Sequence, residues 1–79
     1  MRAAALAHAR NIPVSTHLWP EISAQLLCCA PTAHWLEYAT WWNPILAEPL
    51  RIEQGAPVVN GVQGSGVAWN HEAVERFAA

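Results

Sequence analysis

The stretch Ile12 to Glu37, IPVSTHLWPEISAQLLCCAPTAHWLE, contains two short strand-like runs joined by a helix-like segment. Ile12 to Thr16 is apolar and β-branched enough to form a buried strand, and His17 follows it directly. His34 to Leu36 repeats this arrangement and leads into Glu37. Because a parallel barrel presents its catalytic groups at the carboxyl ends of its strands, His17 and Glu37 are the first candidates for such groups.

The segments around these two strands are predicted to be helices. Met1 to Arg10 is rich in alanine, and Asn11 suits the left-handed position that ends a helix. Pro20 suits the first turn of a second helix, and Pro31 prevents its extension, so this helix is expected over about Pro20 to Cys29. The alternation of helix and strand is typical of an α/β fold with parallel strands.

The remainder of the chain is dominated by turn signals. Leu50 to Val59 contains two strand-like runs that flank Glu53-Gln54-Gly55-Ala56, which predicts a hairpin. Gly61 to Gly66 resembles a glycine-rich phosphate loop only superficially, because the lysine of a P-loop is missing. Asn70 is expected to cap a last helix over about His71 to Phe77.

Three motifs of the chain resemble the mandelate racemase group of the enolase superfamily. They are Pro-Val-Ser-Thr-His-Leu from Pro13, Glu-Ile-Ser-Ala from Glu21, and Pro-Thr-Ala-His-Trp-Leu-Glu from Pro31. Glu48 to Trp69 is similar to the C-terminal return segment of that family, although Gln63 replaces the proline of its Pro-Gly-x-Gly turn. The spacing of 20 positions from His17 to Glu37 agrees with the family's pattern.

The resemblance implies an α/β fold that is the C-terminal sector of an enolase-type (β/α)7β barrel and not a complete domain. Residues 1–47 would hold the last two strands with their helices, and residues 48–79 the return segment, within one partial domain. Such a barrel takes about 250 residues, so a chain of 79 residues supplies only a sector. An open frame upstream of Met1 that encodes the other catalytic groups would make the chain the tail of such an enzyme, whereas a stop codon directly upstream would leave a remnant or a complementing fragment.

The resemblance also implies catalytic roles. In that family a histidine removes the proton α to a carboxylate, and its motif corresponds here to Ser15-Thr16-His17-Leu18. A glutamate equivalent to Glu37 assists the substrate carboxylate as negative charge builds on it. His17 is therefore expected to be a general acid/base, and Glu37 is expected to be buried enough to assist. The reaction of the intact enzyme would be racemisation of a 2-hydroxy acid or dehydration of an acid sugar.

The family's remaining catalytic groups are not found in this chain. They are three acidic ligands for Mg²⁺ and a lysine base on other strands, and an aspartate that orients the histidine. The sequence has neither Lys nor Asp. The resemblance thus implies that Mg²⁺ is bound by ligands outside this chain, that His17 lacks its aspartate partner, and that the isolated chain is inactive.

Other residues near the strand ends have two possible roles. Ser15, Trp19 and Glu21 are candidates for the substrate pocket. Glu21 also suits the positive end of the second helix, where it would only stabilise the helix start. Trp19, like the tryptophans that follow the second strand, would either line the pocket or pack against missing parts of the barrel. His34 lies on the opposite strand face from Glu37 and is expected to pack rather than react.

Composition and charge exclude several classes of function. A net charge of −2 with four arginines and no lysine argues against nucleic-acid binding. The apolar run Leu26 to Ala30 is too short to span a membrane, and Met1 to Arg10 lacks the apolar core of a signal peptide, so a cytoplasmic location is expected. Cys28 and Cys29 are adjacent, a poor arrangement for a disulfide or a metal pair, and are expected to be free, buried thiols.

The apolar surface of the chain predicts a partner. The sequence is 53% hydrophobic with five tryptophans and only 13% charged, which is more apolar than a small domain can cover by itself. The expected partners are the N-terminal part of the barrel, the capping domain, a small carboxylate substrate and further copies of the intact protein. The alternative is a non-catalytic fragment that docks on a barrel protein. A free-standing metal or thiol module is disfavoured by the Cys and His spacings.

Overall fold

A computed structural model of the chain describes residues 1–59 and 64–78. Helices and strands alternate in the first half, and a hairpin and a last helix follow, which confirms the α/β class predicted from the sequence. The elements are α1 (Arg2–Ala9), β1 (Val14–Thr16), α2 (Pro20–Cys28), β2 (Ala33–Leu36), a 3-10 helix (Asn43–Ile45), β3 (Arg51–Glu53), β4 (Ala56–Val58) and α3 (His71–Phe77).

Asn11 follows Arg10, the C-cap of helix α1, and has the left-handed φ of 53° that was predicted. The Asn11 N–H donates to the His8 carbonyl at 3.0 Å and the Ile12 N–H to the Ala7 carbonyl at 2.8 Å, the two bonds of a Schellman motif. Because Ile12 completes this helix end and Pro13 has no N–H, β1 begins at Val14 and not at Ile12, where the sequence predicted it.

Strands β1 and β2 pair in parallel, with Val14 opposite Ala33 and Thr16 opposite Leu36. The register shifts between these two pairs, and the ladder closes with the Glu37 N–H donating to the Thr16 carbonyl at 3.4 Å. Both strands run in the same direction, so the residues that follow them lie at one edge of the sheet.

Helix α2 packs on the two strands, and its buried residues lie in its N-terminal half. Its buried residues are Pro20, Glu21, Ser23 and Ala24. The prediction that Cys28 and Cys29 are buried is wrong, since both are exposed free thiols. The reason is that the covered part of the helix ends at Ala24, one turn before the cysteines.

The predicted hairpin is present as the antiparallel pair β3 and β4. Gln54 and Gly55 connect the strands with φ values of 51° and 76°. Two consecutive positive φ values match a two-residue type I′ turn, so the turn is tighter than the four-residue connection expected from the sequence. The first half of the predicted glycine-rich loop, Gly61 to Gln63, lies outside the described residues.

The last helix folds back on the 3-10 helix. Leu46 and Trp69 form an isolated antiparallel bridge, and the Asn70 N–H donates to the Ile45 carbonyl at 2.8 Å. The Asn70 side chain caps α3 as predicted, because its Oδ1 accepts the Ala73 N–H at 3.1 Å. Ala73 is fully buried.

The chain covers little of its own apolar surface. Its accessible surface is 6065 Å², compared with about 4,700 Å² for a compact protein of this mass. The radius of gyration is 14.5 Å, against about 12 Å for a compact domain of this length. The described core is small, and large exposed side chains such as Trp35, Trp41 and Leu6 surround it. No described helix is both long and apolar enough to cross a membrane.

Candidate active site

The two residues that the sequence singled out meet in space. His17 directly follows β1, Glu37 directly follows β2, and parallel pairing puts both strand ends at one edge. The His17 Nδ1 atom lies 2.7 Å from Glu37 Oε2. Residues 20 positions apart in the sequence thus form one contact pair.

The Glu37 carboxylate has a second partner at the same oxygen. The Leu18 N–H donates to Glu37 Oε2 at 2.7 Å. A carboxylate on Nδ1 favours the imidazole form that carries its proton on that nitrogen, so Nε2 keeps its lone pair. The sequence offered no aspartate to orient His17. Within this chain Glu37 occupies that contact.

The pair is open to solvent in this chain. The side chain of His17 is 77% exposed and that of Glu37 is 46% exposed. Glu37 was expected to be buried, and the described residues do not bury it, because neither β1 nor β2 has a further strand at its outer edge among them.

Glu21, one of the three predicted pocket residues, is buried in the first turn of α2. Only 7% of the residue is exposed. Its Oε2 accepts the Trp42 Nε1–H at 2.9 Å, while its Oε1 is buried without a hydrogen-bond partner among the described residues. Glu21 therefore lies at the helix start, as expected, and its side chain is also hydrogen-bonded to Trp42.

Trp19 and Ser15, the other two, take part in local packing. Trp19 precedes α2 in a left-handed conformation, and its ring stacks on that of Trp42 with centroids 4.5 Å apart and planes 17° apart. The Ser15 hydroxyl accepts the Trp35 N–H at 3.2 Å and so links the two strands. Ser15 and Trp19 each lie two positions from His17, on opposite sides of it along the chain.

The neighbouring histidine of β2 is placed differently. His34 lies within the strand, and its ring is tilted against that of Trp35 with centroids 4.7 Å apart. His34 is exposed, and its ring lies against an exposed tryptophan rather than in a core.

The chain contains further concave surface and no described metal cluster. An open cleft of about 550 Å³ is bordered by Glu21, Glu48 and Arg51 but not by His17 or Glu37, so its volume says nothing about the histidine pair. Across residues 1–59 and 64–78, no three His, Cys, Asp or Glu side chains come together as a metal site would need.

Comparison with known proteins decides the family. A family model described as enolase C-terminal domain-like matches residues 1–74. The chain belongs to the enolase C-terminal domain-like family. Membership confirms the resemblance and the fold class that the motifs implied.

Two solved structures of this superfamily share the fold. An enolase from alpha proteobacterium bal199, solved with bound magnesium, is 43% identical over 96% of this chain, with a TM-score of 0.89. An enolase from Bradyrhizobium, complexed with magnesium and mandelic acid, is 42% identical over 95% of the chain, with a TM-score of 0.82. The chain spans only 21% and 20% of their lengths, about a fifth.

Sequence reasoning missed Ser23 as a residue that shapes the site, and it missed the partners of Trp42. The Ser23 hydroxyl donates to the Leu18 carbonyl at 2.8 Å, and Trp42 connects Glu21 to Trp19. Ser23 belongs to the Glu-Ile-Ser-Ala motif, which was a usable signal. The contacts of Trp42 were not predictable, because they depend on how the chain turns after β2.

Proposed function

We propose that this chain is the C-terminal part of an enolase-superfamily enzyme that removes the α-proton of a carboxylate substrate. The observation that supports it is the 2.7 Å contact between His17 Nδ1 and Glu37 Oε2 at the paired ends of two parallel strands. A histidine held at Nδ1 by a carboxylate is a suitable general base at Nε2, since imidazole can take up and return a proton near neutral pH.

The proposed step moves one proton. The Nε2 lone pair of His17 accepts the proton from the carbon next to the substrate carboxylate, and the bonding electrons pass into that carboxylate as an ene-diolate. Glu37 keeps the imidazole oriented and stabilises the imidazolium that forms. Delivery of a proton to the opposite face by a second acid outside this chain would give racemisation, whereas donation of the abstracted proton by His17 to a leaving β-hydroxyl would give dehydration.

Magnesium is part of this proposal for the intact enzyme. Both similar structures contain magnesium. The described residues of this chain do not fit a magnesium site, because no group of three candidate ligands occurs among them. We propose that the ligands lie outside this chain, as the resemblance implies, and no step of the mechanism above depends on them.

The test is α-proton exchange in the intact protein that carries this chain. The protein is incubated with mandelate and magnesium in D₂O, and deuterium at the α-carbon is followed by NMR. His17→Asn is expected to lower the exchange rate by about 10²- to 10⁴-fold. The matched control is His34→Asn, which changes a histidine on the adjacent strand and is expected to leave the rate within about two-fold. Equal losses in both variants would contradict the role of His17.

The products separate the two finer reactions. Formation of the opposite enantiomer of a 2-hydroxy acid would identify a racemase. Formation of a 2-keto acid from an acid sugar would identify a dehydratase.

The cytoplasmic location and the homo-oligomeric state inferred from the sequence are proposed for the same intact protein. They are checked by fractionation and by sedimentation.

A second candidate function is docking without chemistry. The accessible surface exceeds that of a compact protein by more than a thousand Å², and both strands of the parallel pair have an outer edge without a described neighbour. The isolated chain is expected to show no Mg²⁺-dependent turnover of 2-hydroxy acids. If it instead becomes soluble only when co-expressed with an N-terminal barrel fragment, and the complex also lacks turnover, docking is favoured over catalysis.

A further inference from the structure

The backbone directly after His17 takes an unusual conformation. Leu18 and Trp19 are consecutive, bulky residues with φ values of 61° and 46°, both in the left-handed region. L-residues with large side chains adopt this region rarely, so surrounding contacts must hold it. We call Leu18-Trp19 the elbow, since it turns the chain from β1 into α2 and fixes the direction in which His17 leaves the strand.

Two contacts hold Leu18. Its carbonyl accepts the Ser23 hydroxyl at 2.8 Å, and its N–H donates to Glu37 Oε2 at 2.7 Å. The second contact shares its acceptor oxygen with His17 Nδ1. A change in the orientation of the elbow would therefore disturb the Glu37 oxygen that orients the imidazole.

Trp19 is held through its ring. The ring stacks on Trp42 at a centroid distance of 4.5 Å, and Trp42 itself is fixed by the 2.9 Å bond from its Nε1–H to Glu21 Oε2. Trp42 lies beyond β2, whereas Glu21 and Trp19 lie at the start of α2. The chain Glu21–Trp42–Trp19 thus joins the segments that follow the two strands.

Glu21 is the buried residue of the series Glu21–Trp42–Trp19, and burial restricts its movement. The residue is more than nine-tenths buried. A buried carboxylate is costly unless hydrogen-bonded, and the Trp42 indole is its only hydrogen-bond donor from a side chain among the described residues. The hydrogen bond to Glu21 is directional and fixes Trp42 in one orientation. An apolar side chain at position 21 would not fix it.

We propose that Glu21 is a positioning residue for His17. Through Trp42 it fixes Trp19, and through the elbow it maintains the contact between His17 Nδ1 and Glu37. The effect of this positioning on catalysis rests on the proposed function. The positioning itself is independent of that function, because it concerns contacts within this chain.

The test reads the tautomer of His17 in the chain. Ring nitrogens are labelled with ¹⁵N, and the neutral form of His17 is assigned together with the Leu18 amide proton. The wild-type chain is expected to carry the ring proton on Nδ1, with a downfield Leu18 amide. Glu21→Leu is expected to lose most of the Nδ1–H form and to shift the Leu18 amide upfield. Glu21→Gln keeps an acceptor oxygen for Trp42 and is expected to retain both signals.

Two further variants guard against simple loss of folding. Trp42→Phe keeps an aromatic ring but removes the Nε1–H, and it is expected to reproduce the effect of Glu21→Leu. Glu48→Leu removes another carboxylate from the border of the same cleft and is expected to change neither signal. If Glu21→Leu does not fold, Trp42→Phe and Glu21→Gln decide the result.

The outcomes separate positioning from function. Retention of the Nδ1–H form in Trp42→Phe, or its loss in Glu21→Gln as complete as in Glu21→Leu, would overturn the proposal. If the intact protein exchanges the α-proton of mandelate, Glu21→Leu should lower kcat by about 10- to 100-fold with KM nearly constant. An intact wild-type protein that neither exchanges the α-proton of mandelate nor dehydrates acid sugars would refute the proposed function, while the tautomer would still decide whether Glu21 positions His17.

Discussion

The strand–helix–strand unit of residues 14–37 and the hairpin of residues 51–58 differ in what holds them. In the first unit, α2 buries its N-terminal half against two parallel strands, and side-chain hydrogen bonds cross between segments. In the hairpin every strand residue except Val58 is exposed, and the geometry comes from the turn and the ladder. The candidate catalytic pair lies in the unit that packs on itself, so its geometry is determined within this chain even though the chain is short.

The largest expected effect tests this difference directly. Trp42→Ala removes the ring under Trp19 and leaves the buried Glu21 carboxylate without the indole, which should lower the free energy of unfolding by about 3 kcal/mol. Ile52→Ala, in the exposed strand β3, should cost less than about 1 kcal/mol. Both free-energy changes are measured by urea unfolding, monitored through amide signals that do not depend on tryptophan.

The Ile52→Ala variant is also the control, since it truncates a large apolar side chain in the hairpin. A cost at Ile52 equal to that at Trp42 would show that the hairpin is packed as firmly as the strand–helix–strand unit. The comparison would then fail.

Gly55→Ala should break the hairpin locally. Gly55 has a φ of 76°, and a Cβ there meets no atom within 4 Å, so the cost is one of backbone conformation and not of collision. About 1–2 kcal/mol is expected. Amide hydrogen exchange should speed up in β3 and β4 and remain unchanged in β1 and β2. Faster exchange in β1 would mean that the two regions unfold as one unit.

Asn70→Ala tests the side-chain cap of α3 at the end of the chain. It removes the acceptor of the Ala73 N–H and should destabilise α3 by about 1 kcal/mol. Asn70→Asp keeps an acceptor at the same place and should cost little. Far-UV circular dichroism against temperature checks the pair, and an equal loss in both variants would argue that the side-chain cap is not what stabilises the helix.

Sequence reasoning predicted the parts of the fold that depend on single residues with strong backbone preferences. Asn11, Pro20 and Asn70 mark helix ends, and all three stand where they were expected. The strand-end rule together with the motifs also brought His17 and Glu37 to one edge. Such signals are local, so they can be read without knowing the rest of the structure.

The contacts around the elbow were not predictable for the opposite reason. Leucine and tryptophan disfavour positive φ, so nothing in their identity indicates the left-handed pair at Leu18 and Trp19. The burial of Glu21 and the exposure of Cys28 likewise depend on where α2 stops being covered. Tertiary packing determines these features, and short sequence windows do not contain it.

The parallel pairing of β1 and β2 has a consequence for how the site forms. The two helices can start from contacts a few residues apart, but His17 and Glu37 meet only after the intervening crossover has closed, at a cost in loop entropy. We therefore expect the pair to form late in folding. An imidazole in contact with that carboxylate would report that the strands have found their register, which makes the His17 ring a natural probe of folding kinetics.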